Sequence, residues 1–206
     1  MTLENLGFSR STYSEVILTV KLGETVNSAP MGALLNDKGE ICLRVYRNQK
    51  TYKMIIDGAE DCVLNITDDP ILFYNAIFEK ERISYAPAKR VSSPRILDCK
   101  AYVECLISNV EIHEDFVKAF LKPLFIDATV KDIKTYNRAG PAIIEALVCY
   151  SKLLYFKDAD RERAGILRKR IEIFRDVVYH STTDSTLRKI MSKILARSEE
   201  TLLKEK

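Results

Sequence analysis

Residues 27–32 read NSAPMG, and the fold turns on what that stretch does. It lies between two runs rich in β-forming residues, EVILTV (15–20) and ICLRVY (41–46). Asn, Ser, Pro and Gly are turn chemistry, so the stretch reads as a break between strands. It is not a tight hairpin, because the hairpin signal NDKGE (36–40) comes after it. A run of small side chains around a rigid proline raises the question of what lies against it.

Outward from this point, TYKMII (51–56), CVLNIT (62–67) and AYVECLISNVEI (101–112) also read as strands, each bounded by Gly, Asn or Asp. In ICLRVY the residues Ile41, Leu43 and Val45 face one side, and Cys42, Arg44 and Tyr46 the other. Closely spaced strands with short links predict an antiparallel sheet closed into a barrel. One helix interrupts them: in DDPILFYNAIF, Asp69 is the N-cap and Pro70 the first helical residue. The polar, proline-containing YAPAKRVSSPR (85–95) reads as a surface loop.

After residue 112 the pattern reads as helical. HEDFVKAFLKPLF predicts a short helix stopped near Pro123. RAGPAIIEALVCYSKLLYF (138–156) repeats apolar residues at spacings of three and four. Residues 161–179 and the segment from Thr182 to Leu203 predict two more helices, the last capped by Thr183 or Asp184. The expected class is therefore α+β: a barrel domain over residues 1–112 and a helical segment over 113–206 packed on it.

Among the 206 residues, 47% are hydrophobic, 30% are charged and the net charge is +3, which is ordinary for a globular protein and too little to imply a nucleic-acid partner. The five cysteines are scattered and mostly set in apolar runs, which predicts reduced thiols in a cytoplasmic protein. The two histidines, His113 and His180, make no metal site. The first residues lack a signal-peptide core, and the longest apolar runs read as too short for a membrane span, so no membrane partner is expected. Glu60/Asp61 and Asp68/Asp69 read as turn and cap residues. The basic RERAGILRKR (161–170) lacks interleaved aromatics and reads as a solvated helix face, so no nucleic acid is expected. No nucleophile–base pair, P-loop or GxGxxG is present, and the catalytic residues are unknown.

What is left is the polar set after NSAPMG. Arg44 lies opposite Leu43 and Val45, Thr51 opens the next run after the link RNQK, and Asn65 and Thr67 close the run beyond. If these strands are neighbours, a guanidinium and hydroxyls converge on one anion. Spacing alone leaves that reading level with a plain strand-surface arginine beside β-forming threonines.

With EVILTV, NSAPMG, RVY, TY, NITDDPILF, AYVEC and NRAGPAIIEALV in view, the chain resembles the FMN-binding split β-barrel superfamily, which includes flavin reductases and pyridoxamine-phosphate oxidases. More narrowly, it resembles a mainly archaeal split-barrel family without an assigned reaction, over nearly its whole length. The resemblance implies an FMN-binding flavoprotein, with a redox-active enzyme, a non-catalytic flavin-binding module and an interaction protein as the classes to separate. It implies that Asn27, Ser28, Ala29 and Pro30 line the isoalloxazine, with Met31 or Gly32 at its rim. Arg44, Tyr46 and Thr51 would lie at the phosphate, with Lys50 adding charge where relatives carry a Gly-Ser pair and this chain has Asn48–Lys50. Asn65 and Thr67 would support the site, and Asn137 and Arg138 would close it. A homodimer is also implied.

Overall fold

The computed structural model describes residues 2–129 and 133–203. The strands are β1 (Ser14–Leu22), β2 (Thr25–Leu35), β3 (Ile41–Tyr46), β4 (Asp61–Ile66), β5 (Tyr85–Ala86), β6 (Arg95–Ile96), β7 (Ala101–Ile112) and β8 (Phe116–Ala128). The α-helices are α1 (Lys50–Ile56), α2 (Pro70–Phe78), α3 (Ala139–Phe156), α4 (Arg161–Ser181) and α5 (Ser185–Leu203). Six strands close a barrel in the order β1-β2-β3-β8-β7-β4, antiparallel throughout, with β4 returning to β1. This is the expected split barrel. Val16, Leu18, Val20, Met31, Ala33, Leu43, Val45, Leu64, Val103 and Leu121 fill its interior.

NSAPMG is not a break. It runs as the middle of β2, paired residue for residue with β1 from Val20↔Asn27 to Glu15↔Gly32. The turn comes earlier, at Gly23, whose φ of 56° favours glycine. On its other side β2 meets β3 only over Leu35, Leu34 and Ala33. Residues 27–30 therefore have one open edge, where a proline that lacks an N–H is tolerated. This open edge is the split in the barrel.

Two runs change type. TYKMII is the helix α1, with Thr51, Met54 and Ile55 as its buried residues. That spacing of three and four was present beneath the β-forming composition, and the chain has to turn between β3 and β4, which are not neighbours in the barrel. HEDFVKAFLKPLF is not a helix but most of β8. Val117, Ala119 and Leu121 point inward, in strict alternation with Phe116, Lys118, Phe120 and Lys122. Pro123 is accommodated at an irregularity in the β7–β8 register. Because β8 closes the barrel, the compact units divide at Tyr136/Asn137 and not at 112.

The first unit carries a cover of α2, a 3₁₀ turn (Lys80–Arg82) and β5–β6 on the outer face of β1 and β4, where Ile17, Leu72, Ala76, Ile83, Ile96 and Cys99 pack together. Asp69 caps α2, its side chain accepting the Ile71 N–H at 2.8 Å. In the second unit α3, α4 and α5 share a core that includes Ala146, Leu153, Leu167, Ile171, Met191 and Leu195. Asp184 caps α5 by accepting the N–H groups of Thr186 and Leu187. The expectation that every apolar run falls short of a membrane span was too strong: the 18-residue α3 reaches that length with a mean hydropathy of 1.2, although one stripe of it packs into this core.

Candidate functional site

At the open edge of β2 lies a cleft of about 360 Å³ lined by Asn27, Ala29 and Pro30 of β2, Gln49, Lys50 and Thr51 at the start of α1, Ala76 and Ile77 near the end of α2, and Lys80 at the start of the 3₁₀ turn that follows. That volume is in the range of small-molecule sites. Asn27 organises its polar end: its Nδ2 donates to Thr51 Oγ1 at 2.9 Å, and its Oδ1 accepts from Lys80 Nζ at 2.6 Å. Asn27 is buried at 2% exposure and Thr51 at 1%, so the two fix each other with little freedom. Thr51 Oγ1 accepts the Asn27 N–H and keeps its own O–H to donate. Burial, reinforced by the nearby positive charge of Lys50, pushes the Lys80 ammonium below its ordinary pKa. No carboxylate lines this cleft.

Ser28 is fully buried on the opposite face of β2 from Asn27. Its Oγ lies 2.8 Å from Thr19 Oγ1 and 2.9 Å from the Tyr85 hydroxyl. Asn65 extends this row, its Nδ2 donating to Thr19 Oγ1 and to the Ile17 carbonyl, both at 2.9 Å, while its Oδ1 accepts the Ile96 N–H at 2.8 Å. Asn65 therefore ties β4, β1 and β6 together and is not part of the cleft wall. Thr67 is likewise structural: its Oγ1 accepts the Asp69 N–H ahead of α2.

Of the residues expected at the site, the structure gathers Asn27, Ala29, Pro30, Lys50 and Thr51 in one cleft. Met31 points into the barrel core. Arg44 and Tyr46 lie on the exposed outer face of β3 and do not line the cleft. The Arg44 guanidinium sits 4.5 Å from the centre of the Phe116 ring, and Tyr46 meets the same ring edge-on. The alternation of ICLRVY shows this directly, since a residue on the face opposite Leu43 and Val45 faces out of the barrel. Asn137 and Arg138 belong to the second unit, where Asn137 Oδ1 accepts the Gly140 N–H at the start of α3. Lys80 and Tyr85 were missed. Both come from the cover beyond α2: Lys80 lines the cleft, while Tyr85 lies outside that lining and bonds to Ser28 on the other face of β2.

The loop read as 85–95 is anchored at both ends. Glu104, fully buried, accepts the N–H groups of Lys89 and Arg90 at 2.8 and 2.6 Å. Asp61 accepts those of Ser92 and Ser93 at 2.7 and 2.9 Å. Burial alone would raise the Asp61 pKa; the amide and hydroxyl hydrogen bonds of Ser92 and Ser93 outweigh it, and the net shift is downward.

Residues 14–129 match the family described as protein of unknown function (DUF447), N-terminal domain. Among solved structures, the chain is similar to an FMN-bound DUF447 protein from Methanosarcina mazei, at 21% identity and a TM-score of 0.54 over 95% of this chain and 99% of that one. It is also similar to the flavin reductase PheA2, at 15% identity and a TM-score of 0.49 over 59% of this chain and 83% of that one. A third similar structure is a 2-nitrobenzoate 2-nitroreductase from Pseudomonas fluorescens, at 19% identity and a TM-score of 0.48 over 61% and 68%. No curated protein matches the chain.

Proposed function

The chain belongs to the DUF447 family, and on that premise we propose that it is an FMN-binding flavoprotein whose cleft holds the phosphate with Lys50, Lys80 and Thr51. The observation that carries this reading is two ammonium groups converging in a cleft with no lining carboxylate, next to the small surface of Ala29 and Pro30. Two like charges in a partly buried cleft repel each other unless an anion joins them. A phosphate monoester brings about −1.5 to −2 charges at neutral pH and three acceptor oxygens. Thr51 supplies a neutral donor already oriented by Asn27. The FMN in the Methanosarcina mazei protein of the same family supports the choice of ligand.

Bound flavin supplies hydride or electron chemistry. The chain's own residues bind it: the lysines and Thr51 hold the anionic end, and the small side chains of Ala29 and Pro30, one on each face of the β2 edge, leave room for the planar end. We assign no catalytic residue. Redox activity is our reading over that of a flavin carrier without turnover. The exposed apolar face of α2, with Ile71, Tyr74, Ile77 and Phe78, supports a homodimer. The five unpaired cysteines support a reducing, cytoplasmic setting.

Titration of the apoprotein with FMN and with riboflavin tests the ligand. FMN should bind about ten- to a hundredfold more tightly, since charge-assisted hydrogen bonds are worth roughly 1.5–3 kcal/mol. Equal affinities overturn the phosphate assignment, and no flavin binding overturns the whole reading. Steady turnover of NADH or NADPH with an electron acceptor separates the enzyme from the carrier; bound flavin that stays oxidised under both donors favours the carrier.

A further inference from the structure

Asn65, Thr19, Ser28 and Tyr85 form one row of hydrogen bonds that begins in the protein interior and ends at a residue 36% exposed. Its direction is fixed from the buried end. Asn65 Oδ1 is occupied by the Ile96 N–H, so the group facing Thr19 is the NH₂, and Thr19 Oγ1 accepts. Thr19 and Ser28 are both fully buried, and the only partners of Thr19 Oγ1 among the described residues are Asn65 and Ser28. If Ser28 donated to Thr19, the Thr19 proton would be left unspent in the interior, which is costly. Thr19 therefore donates to Ser28, and Ser28 donates to the Tyr85 oxygen. The one proton left over is the phenolic proton of Tyr85, at the exposed end.

We propose that Tyr85 is a ligand-facing hydrogen-bond donor at the ring end of the cleft, and that its O–H serves a carbonyl oxygen of the bound flavin ring. The proposal rests on the FMN reading above. Ser28 lies two residues from the cleft-lining Pro30 on the same face of β2. Tyr85 does not itself line the cleft; it opens β5, five residues beyond the cleft-lining Lys80. The polar ends are thus different in kind: cations and Thr51 beyond Asn27, and a neutral phenol beyond Ser28. FMN has the same asymmetry, with a dianion at one end and a carbonyl-bearing ring at the other. Burial keeps Tyr85 protonated past the ordinary tyrosine range, although the bond from Ser28 works the other way. A phenol held neutral by its surroundings is a donor to oxygen acceptors across the physiological range.

The test is carbon NMR of FMN labelled at its two ring carbonyl carbons, bound to the wild-type chain, to Tyr85→Phe and to Ser28→Ala. Tyr85→Phe should move one carbonyl resonance upfield and weaken FMN and riboflavin alike, by about three- to tenfold. Ser28→Ala keeps the phenol but removes the proton fed to it, and should give a smaller shift of the same resonance. That variant decides the matter if Tyr85→Phe does not fold. Wild-type chain that takes up no flavin overturns the cofactor reading and this one with it. Flavin bound by all three chains with both carbonyl resonances unmoved overturns the Tyr85 assignment alone. A loss confined to FMN and absent for riboflavin would move Tyr85 to the phosphate end and also overturn it.

Discussion

On the outer face of β4 and β7, Asp61 and Glu104 each accept two backbone amides from residues 89–93. In the cleft at the open edge of β2, Lys80 donates to the Asn27 amide oxygen, and Lys50 lines the same cleft near enough to help lower the Lys80 pKa. The first region spends its charges within the chain. The second leaves its charges without an opposite charge among the lining residues. Asp61 and Glu104 are buried and have their charge met by N–H groups of the chain itself, which is what a buried charge needs. Lys50 and Lys80 are exposed donors at the rim of a cleft, so the first region is built to hold the fold and the second has donors left for something from outside.

The largest effect should come from the self-satisfied region. Glu104→Ala removes the acceptor of two amides and leaves them in a buried setting, at about 1–3 kcal/mol each. We expect a loss of about 3 kcal/mol in urea unfolding at an unchanged slope, which reads as stability and not as a change of the denatured state. A loss below 1 kcal/mol would mean that water replaces the carboxylate there. The two regions would then differ less than their hydrogen bonds indicate.

Next in size are the cleft lysines. Lys80→Ala and Lys50→Ala should each weaken FMN by about ten- to a hundredfold, because each removes a charge-assisted contact to phosphate. Riboflavin affinity should stay within a factor of two. Folding stability should hold or rise slightly in Lys50→Ala, which only relieves the repulsion between the two ammonium groups. It should fall by about 1 kcal/mol in Lys80→Ala, which also leaves the buried Asn27 Oδ1 without its donor. Stability lost together with both ligands' affinity would place the lysines with Glu104 and erase the contrast.

A smaller effect follows from protons. The Lys80 pKa is lowered in the free protein, with burial first and Lys50 second as causes. A bound dianion favours the charged form and restores the pKa, so FMN binding should take up protons on the alkaline side, between the lowered value and the ordinary lysine value. As pH rises through that window, FMN affinity should fall while riboflavin affinity stays level. Calorimetry in two buffers of different ionisation enthalpy reads the uptake directly. Proton release on binding would show that the phosphate is not near Lys80. Asp61 works in the opposite sense for the fold. Its pKa is depressed, so its contribution is complete above the ordinary carboxylate range and is lost as pH falls through the depressed value.

How much of this was legible follows from how local each signal is. Asp69–Pro70 opened α2 as read, because cap and first-turn chemistry act within three residues. The alternation of ICLRVY placed Leu43 and Val45 inside the barrel for the same reason. The identical alternation in FVKAFL was masked by the helix-compatible Lys and Leu, and its partner β7 was needed to settle it. NSAPMG looked like a turn because its composition carries turn propensity, whereas pairing with β1 at every residue holds it extended. Lys80 and Tyr85 had no local signature: one starts a 3₁₀ turn and the other starts a two-residue strand. Their meeting with β2 is a long-range fact, from a position 53 residues away in one case and 57 in the other.

The smallest expected effect tests a residue that only the resemblance put at the phosphate. The resemblance implied a phosphate role for Arg44, where spacing alone left it level with a strand-surface arginine, and its strand turns that side chain to the outside, over the Phe116 ring. An exposed cation–π contact is worth about 0.5–1 kcal/mol. Arg44→Ala should therefore cost about that much in unfolding and change FMN affinity by less than about twofold. Measured beside Lys80→Ala under the same salt conditions, it separates a charge that merely sits on the barrel from one that lines the cleft. If Arg44→Ala weakened FMN by tenfold and left riboflavin alone, the phosphate would lie on the outer face of β3 instead of the open edge of β2. The cleft lysines would then need another ligand.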